Sequence, residues 1–461
     1  MTLNQGMANA VQVPFYGLLK TYPTPALYPE MFDQILVTLS EAAKENQIYV
    51  VVNLIEVMDC NVKTEELCPE KKIYQFNTNV VFDRNGTVID RYRKINLFGE
   101  LSRTPSLNSD LGVFSTDFGV TFGHFICFDL MFQVPAIQIV QKLNLTDIIF
   151  PTMWFSEMPY LTAVQIQEAY AYSMNVNFLA AGANAVNVGS AGSGIYSGKA
   201  GALISTMPGV PTTRLLVTRV PKIPGKISGV IPGPIYDSPK DHDGLKMKVD
   251  PSMEAHVSQL LQDGSQDFEL THGDVICRFN VTVALQKGEH KYRYRGVALD
   301  GVRTFSGFAT GGKKTCAVLS CYGDELNTCA ERFPEYQDGS TAQFAHLSIT
   351  AEFPTPTYIS SVNCSDSAYF PVSLTTSMMP LEPSSFTLNI NSDGHRSSYE
   401  MVLIKPSKDL YTFGVWGRVY NTDGLEPTPA ISTEKPSDAP GSSTVLTVNL
   451  MTLLVAFILN L

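Results

Sequence analysis

The hydrophobic period of this 461-residue chain changes once, near Pro224, and no single regular fold class accommodates both halves. Before that point helical and strand-like patterns alternate. Phe32, Ile35, Leu36, Leu39 and Ala43 recur at three- and four-residue spacing within Pro29–Asn46, which predicts an amphipathic helix. The buried-strand pattern QIYVVVNLIE follows directly. Tyr74–Phe82 and Thr87–Lys94 flank the turn DRNG, a hairpin pinned by Asn85-Gly86. Next come a strand running into Cys127, a helix over Pro135–Leu143, a strand at Asp147–Phe150, a helix over Leu161–Met174 and a strand at NFLAAGAN. Units in this order predict an α/β sandwich over residues 1–224.

From the Pro/Gly-rich connector IPGKISGVIPGPIYDSP onward, helical periodicity almost vanishes. ICRFNVTVAL, KYRYRGVAL, KTCAVLSCY, AHLSITAEF and SFTLNI are short β-rich runs between turn residues, so residues 225–425 read as a second, smaller β-rich domain. Cys277, Cys316, Cys321, Cys329 and Cys364 fall there and predict disulfide stapling of open connectivity, while Cys60 and Cys68 bracket a short polar loop and can bridge locally.

Residues 426–461 form a Pro/Ser/Thr-rich stalk that runs into VLTVNLMTLLVAFILNL. Gly441, Ser442 and Ser443 ahead of that apolar end fit a removable GPI-anchor signal, with Ser437–Ala439 a second attachment candidate; a short tail anchor is the competing reading. Asn85, Asn144, Asn280 and Asn363 each open an N-x-S/T sequon, a glycan site in a secreted protein. These features predict the extracellular face of the plasma membrane, with the membrane as partner through a lipid anchor. MTLNQGMANAVQVPFYG has neither the charged nor the apolar region of an entry signal, which predicts that a preceding segment is missing. A net charge of −11 without a basic run argues against nucleic acid. Neither a His/Asp ligand cluster nor a phosphate-cradling glycine loop occurs, so no metal or organic cofactor is implied. The oligomeric state stays open.

The chemistry centres on GVTFGHFICFDL (Gly119–Leu130), which carries Cys127 at the end of an apolar run with strand-like alternation. A strand that delivers a thiol to its C-terminal edge before a sharp turn holds a nucleophile on rigid backbone and leaves nearby amides free to face a substrate. The alternative is a buried core cysteine. Asp129 reads as a cap of the turn. Two-residue alternation puts positions 123, 125 and 127 on one face and His124 on the other, which removes His124 as a catalytic partner. In RYRKINLFGE (Arg91–Glu100), Lys94 by itself reads as a solvated lysine.

Together, YRKINLFGE, FICFDLMF about thirty residues later, FPTMWF and GSGIY resemble the nitrilase (carbon–nitrogen hydrolase) superfamily, and within it the vanin and biotinidase branch. The resemblance runs from about Ile48 to Tyr196 and continues more weakly through the β-rich half. It implies an α-β-β-α sandwich with an accessory base domain, and a Glu-Lys-Cys triad that hydrolyses a small linear amide such as that of pantetheine. Cys127 matches the nucleophile, Lys94 the family lysine and Glu100 the supporting carboxylate, with the backbone N–H of Phe128 as an oxyanion donor. Trp154 and Phe155 match the aromatic wall of the substrate pocket, with plain core packing as the competing reading. A neighbouring ammonium stabilises a thiolate, and as an oxyanion donor it is worth roughly 3–4 kcal/mol.

The family's general base is a glutamate in a Pro-Glu dipeptide ending the first strand. The resemblance aligns Met1–Asn4 with the loop just after that dipeptide, so this strand and its glutamate are expected to be missing from residues 1–224. Glu56 and Glu30 read as structural. Two functional readings follow. One is an extracellular, GPI-tethered amidohydrolase of pantetheinase or biotinidase type that works through a cysteine thioester; the other is a catalytically inactive ectodomain of the same fold that serves as a binding module.

Overall fold

The computed structural model describes residues 10–60, 68–108, 110–288, 290–333 and 342–431; the anchor candidates Gly441 and Ser437 lie outside the described residues. Four strands, β1 (Val11–Gln12), β2 (Val50–Asp59), β3 (Ile73–Phe82) and β4 (Val88–Arg93), form a sheet in that order, with β1 parallel to β2 and the rest antiparallel. The edge strand β1 has no counterpart in the sequence pattern. Helix α1 (Gln34–Asn46) covers this sheet, burying Leu36 and Ala43 against Val80, Phe82 and Val88. It starts five residues into the predicted span, because Pro29–Met31 closes instead as a 3-10 turn.

The chain continues through β5 (Gly112–Ser115), β6 (Thr121–His124), β7 (Asp147–Thr152), β8 (Glu157–Met158), β9 (Asn177–Gly182), β10 (Ser193–Ser197), β11 (Ala202–Thr206) and β12 (Gly233–Ile235). All but β8 build a seven-stranded sheet in the order β12-β11-β10-β9-β7-β6-β5; β8 pairs instead with β13 (Lys248–Val249). Helix α2 (Ala163–Met174) covers this sheet, with Tyr170 against Phe125 and Phe178. The two sheets meet where His124 on β6 reaches Asp90 on β4 (2.7 Å) and Asn79 on β3 (3.3 Å). The layers therefore run helix, sheet, sheet, helix. The predicted helix over Pro135–Leu143 is shorter and less regular: a wide turn at Gln133–Ile137 precedes one α turn at Gln138–Gln141.

Beyond β13 two antiparallel five-stranded sheets face each other. One runs Val257–Leu260, Arg293–Phe305, Ala309–Cys321, Leu410–Val419, Ser367–Thr375; the other Gly264–His272, Val275–Leu285, Ala342–Pro354, Arg396–Leu403, Phe386–Ser392. The Cys277–Cys316 disulfide ties one sheet to the other, and Phe353 stacks on Tyr369 between them at 4.4 Å. Cys321–Cys329 closes a local loop, as does Cys60–Cys68 in the first half, and Cys364 is buried and unpaired. The described residues up to Ala430 form one compact unit. Within it Arg418 donates to the Met131 carbonyl (2.9 Å) and Thr412 to that of Pro159 (2.9 Å), so the β-rich part is hydrogen-bonded to the turns around the candidate site.

Candidate active site

Strand β6 stops at His124, three residues short of the thiol, because Asp129 pulls the chain into a turn. Its Oδ2 accepts the Ile126 N–H at 3.1 Å, and Cys127–Met131 wind into a 3-10 turn. Cys127 sits at φ +51°, a left-handed conformation that non-glycine residues rarely adopt, which projects the side chain away from the strand's own line. Cys127 and Phe128 occupy the first two helical positions, whose N–H groups have no acceptor within the turn. The Phe128 amide is therefore available beside the sulfur.

Asp129 also ties this turn to the end of β4. It accepts the Tyr92 hydroxyl (2.7 Å) and both the backbone and side-chain N–H of Asn96 (2.9 Å each). Burial raises its pKa against the opposing pull of Lys94 and these donors. The residue caps and anchors, and its four accepted hydrogen bonds leave it little capacity for anything else.

Lys94, at the end of β4, is buried, not the solvated lysine that its neighbours suggest. Its Nζ donates to Glu100 Oε1 at 2.6 Å. Burial pulls the ammonium's pKa down, but the charges of Cys127, Glu100 and Asp129 outweigh it and the net shift is upward, so the group stays protonated through neutral pH. Among the opposing charges near the ammonium, that of Cys127 raises its pKa the most. Asn77 donates to both oxygens of Glu100 (3.2 and 3.4 Å) and accepts from Asn53 (2.8 Å), fixing the carboxylate on β3.

The Cys127 Sγ lies 3.4 Å from the Met153 carbonyl and lines a small pocket with a cavity volume of about 40 Å³. Trp154 and Phe155 both line it. Trp154 is also packed and anchored, its Nε1 donating to the Leu161 carbonyl at 2.8 Å, so wall and core roles coincide. Phe98 stacks on Phe155 (5.7 Å) and meets Phe128 edge-on (4.8 Å). The β-rich part contributes Arg303 and Phe305, and Phe305 packs on Phe128 at 5.3 Å. At the tip of that hairpin Phe308 fills the space over Gly99 (φ +61°), where a Cβ would come within 2.4 Å of the ring.

The remaining candidates are committed elsewhere. Glu56 is buried among Arg91 (3.2 Å), Arg93 (2.5 Å) and the Thr78 hydroxyl (2.8 Å); Glu30 is exposed on a 3-10 turn; His124 is spent on Asp90. Among the described residues, Glu100 is the carboxylate hydrogen-bonded to Lys94. Asn85, Asn144 and Asn280 are exposed and Asn363 is half-buried.

The carbon-nitrogen hydrolase family matches residues 11–200, and the vanin C-terminal domain matches residues 245–423. Vanin-like protein 2 of Drosophila melanogaster is 34% identical over 421 residues, covering 85% of this chain and 77% of the relative. The chain belongs to the vanin family. Among its vanin-family relatives, human biotinidase is 29% identical over 90% of this chain and 78% of its own length, and mouse pantetheinase 29% over 84% and 70%. In this vanin-like chain the pocket residues Phe98, Glu157, Lys248, Arg303 and Phe305 escape sequence reading. Arg303 and Phe305 lie on a strand whose alternation looks ordinary, and Lys248 sits in a two-residue strand too short to leave a period.

Proposed function

We propose that this chain is a cysteine amidohydrolase of small linear amides, of the pantetheinase or biotinidase kind. The observation that carries this reading is the buried Lys94 ammonium, held by Glu100 and acting electrostatically on a Cys127 that faces an aromatic pocket. The Cys127 thiolate attacks the amide carbonyl, and Lys94 and the Phe128 N–H stabilise the oxyanion. The C–N bond then breaks, the amine departs with the proton that left the thiol, and a thioester remains. Water attacks the thioester, the thiolate leaves and the carboxylic acid is released. These proton movements require a general base, which in the family this chain resembles is a carboxylate.

A second reading, a binding module of the same fold, is favoured by one observation: among the described residues, Glu56 is held by Arg91 and Arg93, Glu30 stands exposed on a 3-10 turn, and Glu100 is engaged by Lys94 and Asn77. Glycosylation at the four sequons and lipid tethering outside the cell belong to the proposal under either reading.

The test measures cysteamine release from pantetheine and lysine release from biocytin, on this chain and on a form extended by a strand ending in Pro-Glu. The extended form is expected to be at least about a hundredfold more active, the usual worth of a general base, and Cys127→Ala to abolish turnover. Equal activity in Cys127→Ala disposes of the enzyme; inactivity of the extended form leaves the binding module.

A further inference from the structure

The pocket that holds Cys127 has one charge left over. Among its lining residues, Glu157 is paired with Arg303 (2.6 Å), and Arg303 also meets Asp250 (3.4 Å), which Lys313 engages at 2.7 Å. Two acids and two bases cancel. Lys248 lines the same pocket and forms no ion pair among the described residues.

The fold holds Lys248 there deliberately in geometric terms. Its backbone N–H donates to the Ser156 carbonyl (2.8 Å) where β13 lies beside β8, and its Nζ donates to Ser306 Oγ (2.8 Å) on the hairpin tip. The ammonium stands over the faces of Phe98 (5.3 Å) and Phe155 (5.4 Å). Aromatic faces position a cation without neutralising it, and a pocket walled by rings weakens the screening of its charge by water.

We infer that Lys248, with the Ser306 hydroxyl beside it, is a specificity residue that receives a carboxylate on the substrate, so that the preferred substrate is a linear amide bearing a free carboxylate. A single ammonium with one hydroxyl suits a monoanion, whereas phosphate is usually held by forked guanidiniums or several amides. This inference deepens the amidohydrolase reading and rests on it for the word substrate; the anion site itself does not depend on turnover.

The experiment has two arms on the full chain. Cys127 is alkylated with iodoacetate and with iodoacetamide, which are alike in shape and differ in charge, and the rates are read by mass spectrometry of the Cys127 peptide. The iodoacetate-to-iodoacetamide ratio is expected to fall about fivefold to tenfold in Lys248→Met, to be retained in Lys248→Arg and to fall further in Lys248→Glu, the scale of about 1–1.4 kcal/mol for one partly buried charge pair. In the second arm, a dicarboxylic acid monoanilide and its methyl ester are compared, and Lys248→Met is expected to erase a preference for the free acid. An unchanged alkylation ratio in Lys248→Met and Lys248→Glu overturns the inference. If neither the anilides nor pantetheine nor biocytin is cleaved, even by the extended form, the amidohydrolase reading fails, while the alkylation ratio still decides the anion site.

Discussion

Two groups of buried charge border the same pocket and are finished differently. Around Arg303, Glu157, Asp250, Lys313 and His256 every charge has found its complement: Lys313 Nζ reaches Asp250, Ser252 and His256, and the His256 Nδ1 meets the Ser252 and Met253 carbonyls at 2.9 and 3.0 Å. Around Lys94 the ammonium has Glu100, which is a quarter exposed, and a thiol that can ionise and faces open space. A closed set of charges can only hold parts together, and here it joins β8 to the β-rich hairpin. A set completed by an ionisable thiol at a pocket keeps one member available for chemistry.

The widest test of this contrast is a crossover between two substitutions. Arg303→Met leaves Glu157 and Asp250 buried with too few partners and is expected to cost about 3–5 kcal/mol of stability, seen as a lower urea midpoint. Adding Glu157→Gln should return part of that loss. Lys94→Met is expected to cost less stability, because Glu100 can turn to water, but to lower kcat/KM on a cleaved amide by about a hundredfold to a thousandfold. Equal stability losses from both would mean that the two groups are not distinct in kind.

Much of the N-terminal layer order was legible because its strands and helices carry clean periods: α2 and β7 lie where the pattern put them. Asp129 was legible as a cap because a carboxylate three residues after an N-cap position has one obvious use. The left-handed turn at Cys127 was not, since it arises from the tertiary pull of Tyr92 and Asn96 on Asp129. Burial of Lys94 was hidden by its flanking arginines, which turn to Glu56 on the sheet's other side of the alternation. Arg303 and Lys313 on neighbouring strands of the β-rich part look like a solvent face in sequence; only the packed structure shows both fully buried. Short-range pattern reports local geometry, while pairing between buried charges is a long-range property that a single chain does not display.

The contrast also predicts a difference in acid. Burial lowers the His256 pKa to about 3, with the Lys313 charge pushing the same way. Below pH 6.5 the unfolded chain takes up a proton that the folded chain refuses until the pH nears 3, so stability falls as pH drops through that window, by up to about 1.4 kcal/mol per pH unit. The depressed Asp250 carboxyl, held down by Arg303 and Lys313 against burial, adds loss only toward the acid end. His256→Gln is expected to flatten the slope between pH 6.5 and 4.5 in urea unfolding, and an unchanged slope would assign it to other groups. Lys94, with its pKa raised, brings no such loss, because it is protonated in both states throughout that range.

The smallest expected effect tests whether the open group is positioned as well as charged. Asn77 grips both oxygens of Glu100 and is itself gripped by Asn53, so it sets where the carboxylate, and through it the Lys94 ammonium, stands relative to Cys127. The backbone carbonyl of Asn77 accepts the Lys94 N–H at 2.8 Å in any side-chain variant, so Asn77→Ala keeps that backbone bond and removes the lateral hold on Glu100 together with the Asn53 contact that steadies it. One such hydrogen bond is worth about 1 kcal/mol, which corresponds to roughly a fivefold fall in kcat with KM nearly unchanged. A fall as large as that of Lys94→Met would show that Glu100 swings free without Asn77 and takes the ammonium with it. No fall at all would show that Lys94 alone holds Glu100, making the ion pair a rigid unit that needs no third residue.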